Sequence, residues 1–191
     1  MCATFRLGSD DEENEKIQSI IKEVEVKYGK DAATKISSGD FFPKSIIPVE
    51  TKDDGIVLMR WGFPMYQSNQ VVFNAREETL AEKPMFRRSL VSRRCLIPAS
   101  RFYEWDSSKK KLAIHPEDFG MFYMAGLFNE FTLLNGEKQT CVVLITTAPN
   151  SQMLSIHNRM PAILTEGTQW LDMGTGLSPY EGELSFSPIS H

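Results

Sequence analysis

The sequence predicts an α+β domain with a strongly bent, barrel-like and mainly antiparallel β core and peripheral helices. One amphipathic helical stretch is followed by many short segments rich in Val, Ile, Phe and Tyr, which Gly, Pro, Asn and Asp divide. Strands and helices do not alternate strictly, which argues against a doubly wound parallel sheet. The length of 191 residues suits one domain over 1–191.

The elements are predicted in chain order from these patterns. Apolar residues at helical spacing from Ile17 to Val24, with acids before them and Gly29 after them, predict a helix over 12–28. Strands are predicted at 46–50, 56–61, 94–97, 102–105, 111–115, 121–128, 140–146 and 162–165, and short helices at 77–81, 84–90, 150–156 and 168–173. Asn135-Gly136 predicts a hairpin turn, and 107–111 a polar loop.

The composition is typical of a soluble globular protein. Hydrophobic residues make up 41% and charged residues 24%, and no apolar run approaches the roughly 20 residues that cross a bilayer. Acidic residues crowd positions 10–15, where a secretory signal would be apolar. We therefore expect no membrane association, a cytoplasmic location (on the nucleoid if the source is bacterial) and a monomer.

Charge is unevenly distributed along the chain. The formal net charge is −4, yet 76–101 holds seven basic residues against three acidic ones. A local basic face can bind phosphates whatever the total charge, and scattered arginines on a solvated surface give the same composition.

The three cysteines, Cys2, Cys95 and Cys141, are too few and too scattered for a disulfide framework or a zinc site. We expect neither a metal nor a cofactor. Cys95 and Cys141 lie in apolar, strand-like segments, which predicts buried cysteines that pack as small hydrophobes. Cys2 differs because it is next to the chain end.

Four segments carry polar or ionisable side chains among otherwise apolar, strand-like residues. They are Met1-Cys2, 72–76 with Asn74, 94–105 with Glu104, and 156–161 with His157. Each alone also fits a structural role, because Glu104 can face solvent, His157 can be a satisfied structural histidine, and Asn74 can be a turn residue or helix cap.

Taken together, the segments resemble the SOS response-associated peptidase (SRAP) family, which is known for binding abasic-site DNA. The resemblance runs in family order over nearly the whole chain and rests on sequence motifs. These are Met1-Cys2, Pro43, Arg60-Trp61-Gly62, 74–79, 94–99 with Phe102-Tyr103-Glu104-Trp105, 125–127, 145–148 and Ile156-His157-Asn158-Arg159-Met160-Pro161.

The resemblance implies a covalent mechanism. Removal of Met1 exposes Cys2 as an N-terminal 1,2-aminothiol, which closes a thiazolidine ring on the aldehyde of an abasic site in single-stranded DNA. Glu104 is implied as general acid/base, His157 as the group that assists Schiff-base formation and ring opening, and Asn74 as an orienting hydrogen-bond donor. Met1 is removed by Cys2 itself or by an aminopeptidase.

The resemblance also implies a set of DNA contacts. Arg76 and Arg159 match positions that hold phosphates, and Trp61 matches an aromatic that stacks on bases. Pro43 and Thr147 are expected to line the same groove.

The chain departs from the family at two places. The family usually begins Met-Cys-Gly-Arg, whereas Ala3 and Thr4 stand here; we expect Arg6 to compensate, because alternate strand residues share a face. After Trp61-Gly62 a further tryptophan is missing, and Tyr66 is the candidate substitute.

Two other functions stay open at this point. Cys2, His157 and Glu104 would also serve a thiol peptidase that acts on protein substrates. The basic stretch 76–101 alone would serve a non-covalent single-stranded DNA-binding module, whose binding depends on salt and ignores the lesion.

Overall fold

The computed structural model describes residues 2–8, 14–66, 68–133, 135–164, 167–174 and 177–189. The helices are α1 (Glu15–Tyr28), α2 (Lys30–Ser38), α3 (Pro84–Ser92) and α4 (Thr168–Met173), with a short 3₁₀ helix at Glu77–Thr79. The strands are β1 (Phe5–Arg6), β2 (Asp40–Phe41), β3 (Ile46–Thr51), β4 (Gly55–Trp61), β5 (Phe63–Pro64), β6 (Val71–Val72), β7 (Asn74–Arg76), β8 (Arg94–Ala99), β9 (Arg101–Trp105), β10 (Lys111–Pro116), β11 (Phe122–Thr132), β12 (Lys138–Thr147), β13 (Met160–Pro161), β14 (Ile163–Leu164) and β15 (Leu184–Pro188).

Five strands close into a barrel in the order β12-β4-β3-β8-β11, because β11 also pairs with β12. Each of these pairings is antiparallel except that of β4 with β12. At Gly126 on β11 a Cβ would lie 2.9 Å from Cys95 Sγ and 3.1 Å from the Val143 carbonyl oxygen, so only glycine fits this close approach of neighbouring strands. The predicted α+β class and barrel-like core are confirmed.

A second, antiparallel sheet has the order β15-β10-β9-β1-β2 and carries the N-terminal segment. Aromatic rings join it to the barrel: the Phe5 ring centroid lies 5.1 Å from that of Trp61 on β4. Within the second sheet, it lies 5.0 Å from that of Phe41 on β2. The second sheet therefore holds Cys2 and β9 against the barrel.

The predicted first helix is confirmed as α1. Asn14 caps it, since its side-chain oxygen accepts hydrogen bonds from the backbone N–H groups of Lys16 and Ile17. Residues 12 and 13 of the prediction lie outside the described residues. The Asn135-Gly136 hairpin is confirmed, with Gly136 at φ 84° and the β11 and β12 ends paired from Thr132 to Lys138.

Three predicted elements take another form. Residues 150–156 make hydrogen-bonded turns instead of a helix, because the Asn150 carbonyl and side chain accept the first N–H groups and no regular ladder follows. Only Glu77–Thr79 of 77–81 is helical, as a 3₁₀ turn. Of the predicted strand at 162–165, only Ile163–Leu164 is a strand, β14. Ala162 bonds to both β11 and β12 and separates β14 from β13, and Thr165 lies outside the described residues.

The sequence patterns missed α2 and several strands of two to five residues, including β1, β2, β7 and β15. No helix among the described residues combines the length and the apolar character that crossing a bilayer demands.

Candidate functional site

The β9 strand carries Glu104 into the interior. By strand alternation, Phe102 and Glu104 point inward and are buried, whereas Trp105 is 40% exposed. The backbone N–H of Tyr103 donates to the Thr4 carbonyl at 3.0 Å. This bond lays the N-terminal segment alongside the part of β9 that carries Glu104.

Cys2 is held at the junction of the two sheets. Its carbonyl accepts a hydrogen bond of 2.7 Å from Asn74 Nδ2, and its thiol donates to the Thr4 carbonyl at 3.6 Å. The residue is only 1% exposed. Burial, and after it the Glu104 carboxylate, raise the pKa of the Cys2 thiol, which keeps it protonated at neutral pH. Met1 lies outside the described residues.

Asn74 owes its position to two neighbouring strands. It opens β7, which pairs in parallel with β12 so that Asn74 faces Leu144. The preceding carbonyl, that of Phe73, accepts hydrogen bonds from the Leu144 N–H at 3.0 Å and from Trp61 Nε1 at 2.9 Å. The amide of Asn74 is thereby fixed where it meets Cys2.

The expectation that Trp61 stacks on DNA bases is wrong. Trp61 is fully buried, and its ring lies between those of Phe5 and Phe73, at centroid distances of 5.1 and 6.0 Å. An aromatic that packs in the core and bonds to the Phe73 carbonyl presents no face to a base. Trp61 instead positions the segment that carries Asn74.

His157 follows the turns of 150–156. Its backbone N–H donates to the Met153 carbonyl at 2.9 Å, and its Nδ1 accepts from the Arg159 backbone N–H at 3.0 Å. The same Nδ1 lies 3.2 Å from the Arg159 carbonyl oxygen, so the backbone of Arg159 orients the ring. The segment then enters β13, which pairs with one edge of β12 at Thr146 while β7 pairs with the other edge.

Arg159 forms an ion pair with Glu78, and its implied contact with a phosphate stays a prediction. Its Nη1 and Nη2 donate to the two carboxylate oxygens of Glu78 at 2.9 Å each, and Nη2 also donates to the Thr146 carbonyl at 2.6 Å. Burial alone would raise the pKa of Glu78, but hydrogen bonds from its own backbone and from Arg159 lower it overall. Arg159 therefore ties the His157 segment to the one after β7.

The other expected DNA contacts differ in their exposure. Arg76 is exposed, and Pro43 and Arg6 are half-buried. Thr147 is fully buried and its hydroxyl donates to the Ala148 carbonyl at 3.0 Å, so the expectation that it lines a DNA groove is also wrong. On a strand covered on both faces, a hydroxyl finds its partner in the backbone.

Trp105 is an exposed aromatic that was not among the site residues predicted from the sequence. It adjoins Glu104 on β9 and is the exposed aromatic at this end of the strand, with Lys111 Nζ 5.8 Å from its ring centroid and 4.0 Å from that of Tyr103. Alternation along 102–105 was the available signal, since inward Glu104 requires outward Trp105.

The remaining cysteines are as expected: Cys95 and Cys141 are buried on β8 and β12. Within the described ranges, no group of three or more His, Cys, Asp or Glu side chains could share a metal ion. The structure thus joins Asn74 to Cys2 by a hydrogen bond and places the Glu104 carboxylate where its charge acts on the Cys2 thiol. His157 and Arg76 lie on segments that flank the two edges of β12.

The fold is shared with solved structures of low sequence identity. A protein from Bacteroides thetaiotaomicron superposes with a TM-score of 0.81 at 22% identity, over 99% of this chain and 92% of that one. A protein from Bordetella bronchiseptica gives 0.74 at 20% identity, over the whole of both chains. These likenesses establish the architecture alone.

Other relatives share more of the sequence than these solved structures do, and their names state a function. The chain is 40% identical over 125 residues to abasic site processing protein YoqW of Bacillus subtilis, which covers 60% of this chain and 56% of the relative. It is 30% identical over 157 residues to abasic site processing protein HMCES of Xenopus tropicalis, covering 62% and 45%. The chain spans about half the length of these relatives. The model of one family, "SOS response associated peptidase (SRAP)", matches residues 1–190. The chain therefore belongs to the SOS response associated peptidase family.

Proposed function

We propose that this protein captures abasic sites in single-stranded DNA by a covalent thiazolidine crosslink through Cys2, once Met1 has been removed. The observation that supports this most is the 2.7 Å hydrogen bond from Asn74 to the Cys2 carbonyl beside Glu104. It holds Cys2 in place where the charge of the Glu104 carboxylate acts on its thiol, and relatives are named abasic site processing proteins.

The chemistry needs a free α-amine and a thiol on one residue. The amine, with a reference pKa of about 7.7–8, attacks the aldehyde of the open-chain abasic sugar and expels one water as the Schiff base forms. The thiol sulfur then bonds to the same carbon, its proton leaves, and the imine nitrogen gains a proton. The product is a five-membered thiazolidine, which neither an internal cysteine nor a lysine can form.

Three groups handle protons and orientation in this scheme. Glu104 accepts the thiol proton and delivers a proton to the departing hydroxyl, a role that its electrostatic contact with Cys2 supports. Because the pKa of the Cys2 thiol is raised, the thiol is protonated at neutral pH. Ring closure therefore needs a base that removes this proton as the sulfur attacks. His157 assists Schiff-base formation and opening of the sugar, and Asn74 orients Cys2.

The DNA strand is held by groups at the surface of the site. Arg76, which is exposed, binds a phosphate next to the lesion, and Arg6 and Pro43 border the strand on the side of Cys2. Trp105 offers the base-stacking face that Trp61 does not. Arg159 can bind a phosphate only if it releases the carboxylate of Glu78 with which it is paired. One protomer carries all these groups, so we expect a monomer to act.

Removal of Met1 is the peptidase step of the proposal. If the site performs it, a Glu104→Gln protein keeps Met1 whereas the wild type loses it, as intact mass will show. Loss of Met1 from both proteins would assign the step to an aminopeptidase instead.

The direct test is a crosslinking assay with protein that lacks Met1. Single-stranded DNA with one abasic site is expected to give a heat-stable shifted band, and the same DNA with a reduced, aldehyde-free site none. Cys2→Ser is expected to give no stable band, while Cys141→Ser keeps it. Salt-dependent binding that is indifferent to Cys2 and to the lesion would instead favour the non-covalent DNA-binding module.

A further inference from the structure

The ends of α3 and α4 form a surface on the outer side of the barrel wall. Phe86 of α3 packs into the core cluster that covers this side of β8 and β11, whereas Cys2 belongs to the cluster on their other side. Arg94 holds the two helix ends together, because its Nη1 donates to the Val91 carbonyl at 2.8 Å and its Nη2 to the Asp172 carbonyl at 3.1 Å. None of the side chains assigned to the crosslink lies on either helix.

The exposed face of α3 carries two cations that have no partner. Arg87 and Arg88 are both exposed, and the helix contains no acidic residue. Among the residues that the structure describes, neither guanidinium has a hydrogen bond or an ion pair. Asp172, at the end of α4, is already paired with Lys52 at 2.6 Å. The surface therefore offers uncompensated positive charge, although the formal net charge of the protein is −4.

Exposed apolar side chains lie beside these cations. Val91 is 73% exposed and follows Arg88 and Arg87 by three and four residues, so the three side chains share one face of the helix. Met173, in the last turn of α4, is 63% exposed. A single exposed apolar residue is common, but here two stand on adjoining helix ends next to unpaired guanidinium groups. This combination fits a ligand that carries acidic and apolar groups together.

We infer that this surface docks a short acidic segment of a partner protein. The carboxylates of the segment bind Arg87 and Arg88, and its apolar side chains cover Val91 and Met173. Arginine can bind a carboxylate through two parallel N–H donors, and an unstructured acidic segment can order as it binds. A DNA backbone would match the two cations but leave the apolar side chains in water, which is why we favour a peptide. The inference goes beyond the crosslink, since it needs neither Cys2 nor DNA.

The test is the fluorescence anisotropy of a short fluorescein-labelled peptide of aspartate and leucine, titrated with the full chain. Arg87→Gln and Arg88→Gln together are expected to weaken binding about tenfold, because two charge pairs are lost. Val91→Ser is expected to weaken it about threefold, and Val91→Leu to retain it, because this contact needs only apolar area. A peptide with asparagine in place of aspartate is expected not to bind measurably. Since all three side chains are exposed, the variants should unfold at the same urea concentration as the wild type.

Matched controls separate this surface from general effects. Val26→Ser removes an exposed valine of α1, and Lys30→Gln with Lys35→Gln removes two exposed cations of α2; both proteins are expected to bind as the wild type does. Wild-type affinity in the protein with Arg87→Gln and Arg88→Gln, or equal affinity for the asparagine peptide, would overturn the inference. So would displacement of the peptide by a lesion-free oligonucleotide, which would assign the surface to DNA. Because the probe has neither DNA nor an aldehyde, failure of the crosslink leaves this readout intact.

Discussion

At the scale of the residue, the proposed crosslink depends on the contacts of Cys2. Its carbonyl is held by Asn74, and its thiol lies in the field of Glu104. Both neighbours come from other elements, β7 and β9, so each can be changed while Cys2 stays in place. Substitution at either position therefore tests a distinct step.

Replacing Asn74 with Asp removes the side-chain N–H donor and keeps the size of the side chain. The hydrogen bond to the Cys2 carbonyl is lost and two oxygens face each other, so we expect the single-turnover crosslinking rate to fall about tenfold. Asn129→Asp is the matched control, since the side-chain oxygen of Asn129 accepts from Glu130 and an aspartate retains that bond. Equal rates in the two variants would show that the Asn74 contact does not orient Cys2.

Replacing Glu104 with Gln removes the acid/base group with little change of volume. Proton transfer by a positioned side chain typically contributes about 10²–10⁴-fold, and we expect a loss of that size in the crosslinking rate. Binding of lesion-free DNA, measured by fluorescence anisotropy, should not change. An undiminished rate would remove Glu104 from the mechanism.

The sequence predicted which residue types form the site better than it predicted their environments. Asn74 bonds to Cys2 and the charge of Glu104 acts on it, while the catalytic roles that the resemblance implies for these residues stay predictions. The burial of Trp61 could not be read from its motif, because a tryptophan serves equally in a core and on a loop. Likewise the partner of Arg159 comes from a segment about 80 residues away, which no local pattern reveals.

At the scale of the element, periodicity predicted the long strands and α1 because each buries one regular face. Two-residue strands such as β1 and β13 are too short to show an alternation of apolar and polar residues. They form because longer neighbouring strands supply their hydrogen-bond partners. The helix α2 was missed because it is short and mostly polar, and packs only Ala33 and Ile36 inward.

Arg94 offers a test of how the peripheral helices are attached. Its guanidinium donates to the carbonyls of Leu90, Val91, Leu171 and Asp172, in the last turns of α3 and α4. We expect Arg94→Gln to lower the free energy of unfolding by about 2–3 kcal/mol, measured in urea. Arg93→Gln, at an exposed neighbour, should cost little. Equal losses would mean that Arg94 does not anchor these helices.

At the scale of the whole molecule, burial of weak acids predicts how stability depends on pH. Burial raises the pKa of Cys2, Cys95 and Tyr123, and raises that of Cys141 to about 11, from ordinary values of 9.0 for cysteine and 10.0 for tyrosine. Because the folded values lie above the unfolded ones, the stability they contribute is fully present below about pH 8 and is lost as pH rises.

The urea midpoint should therefore fall between about pH 8 and about pH 10.5. Under the same conditions we expect thiol reagents to label Cys95 and Cys141 only in the unfolded protein, because both are buried on strands of the barrel. A midpoint that does not change over this range would contradict the burial of these groups.

The intact mass of the DNA adduct tests the central claim most directly. Protein without Met1, mixed with single-stranded DNA that carries one abasic site, should give a species equal to the protein plus the DNA less one water, and the species should survive heating. Cys2→Ser should not give it. Protein that lacks Met1 and stays unmodified, or an equally heat-stable adduct on Cys2→Ser, would contradict the account.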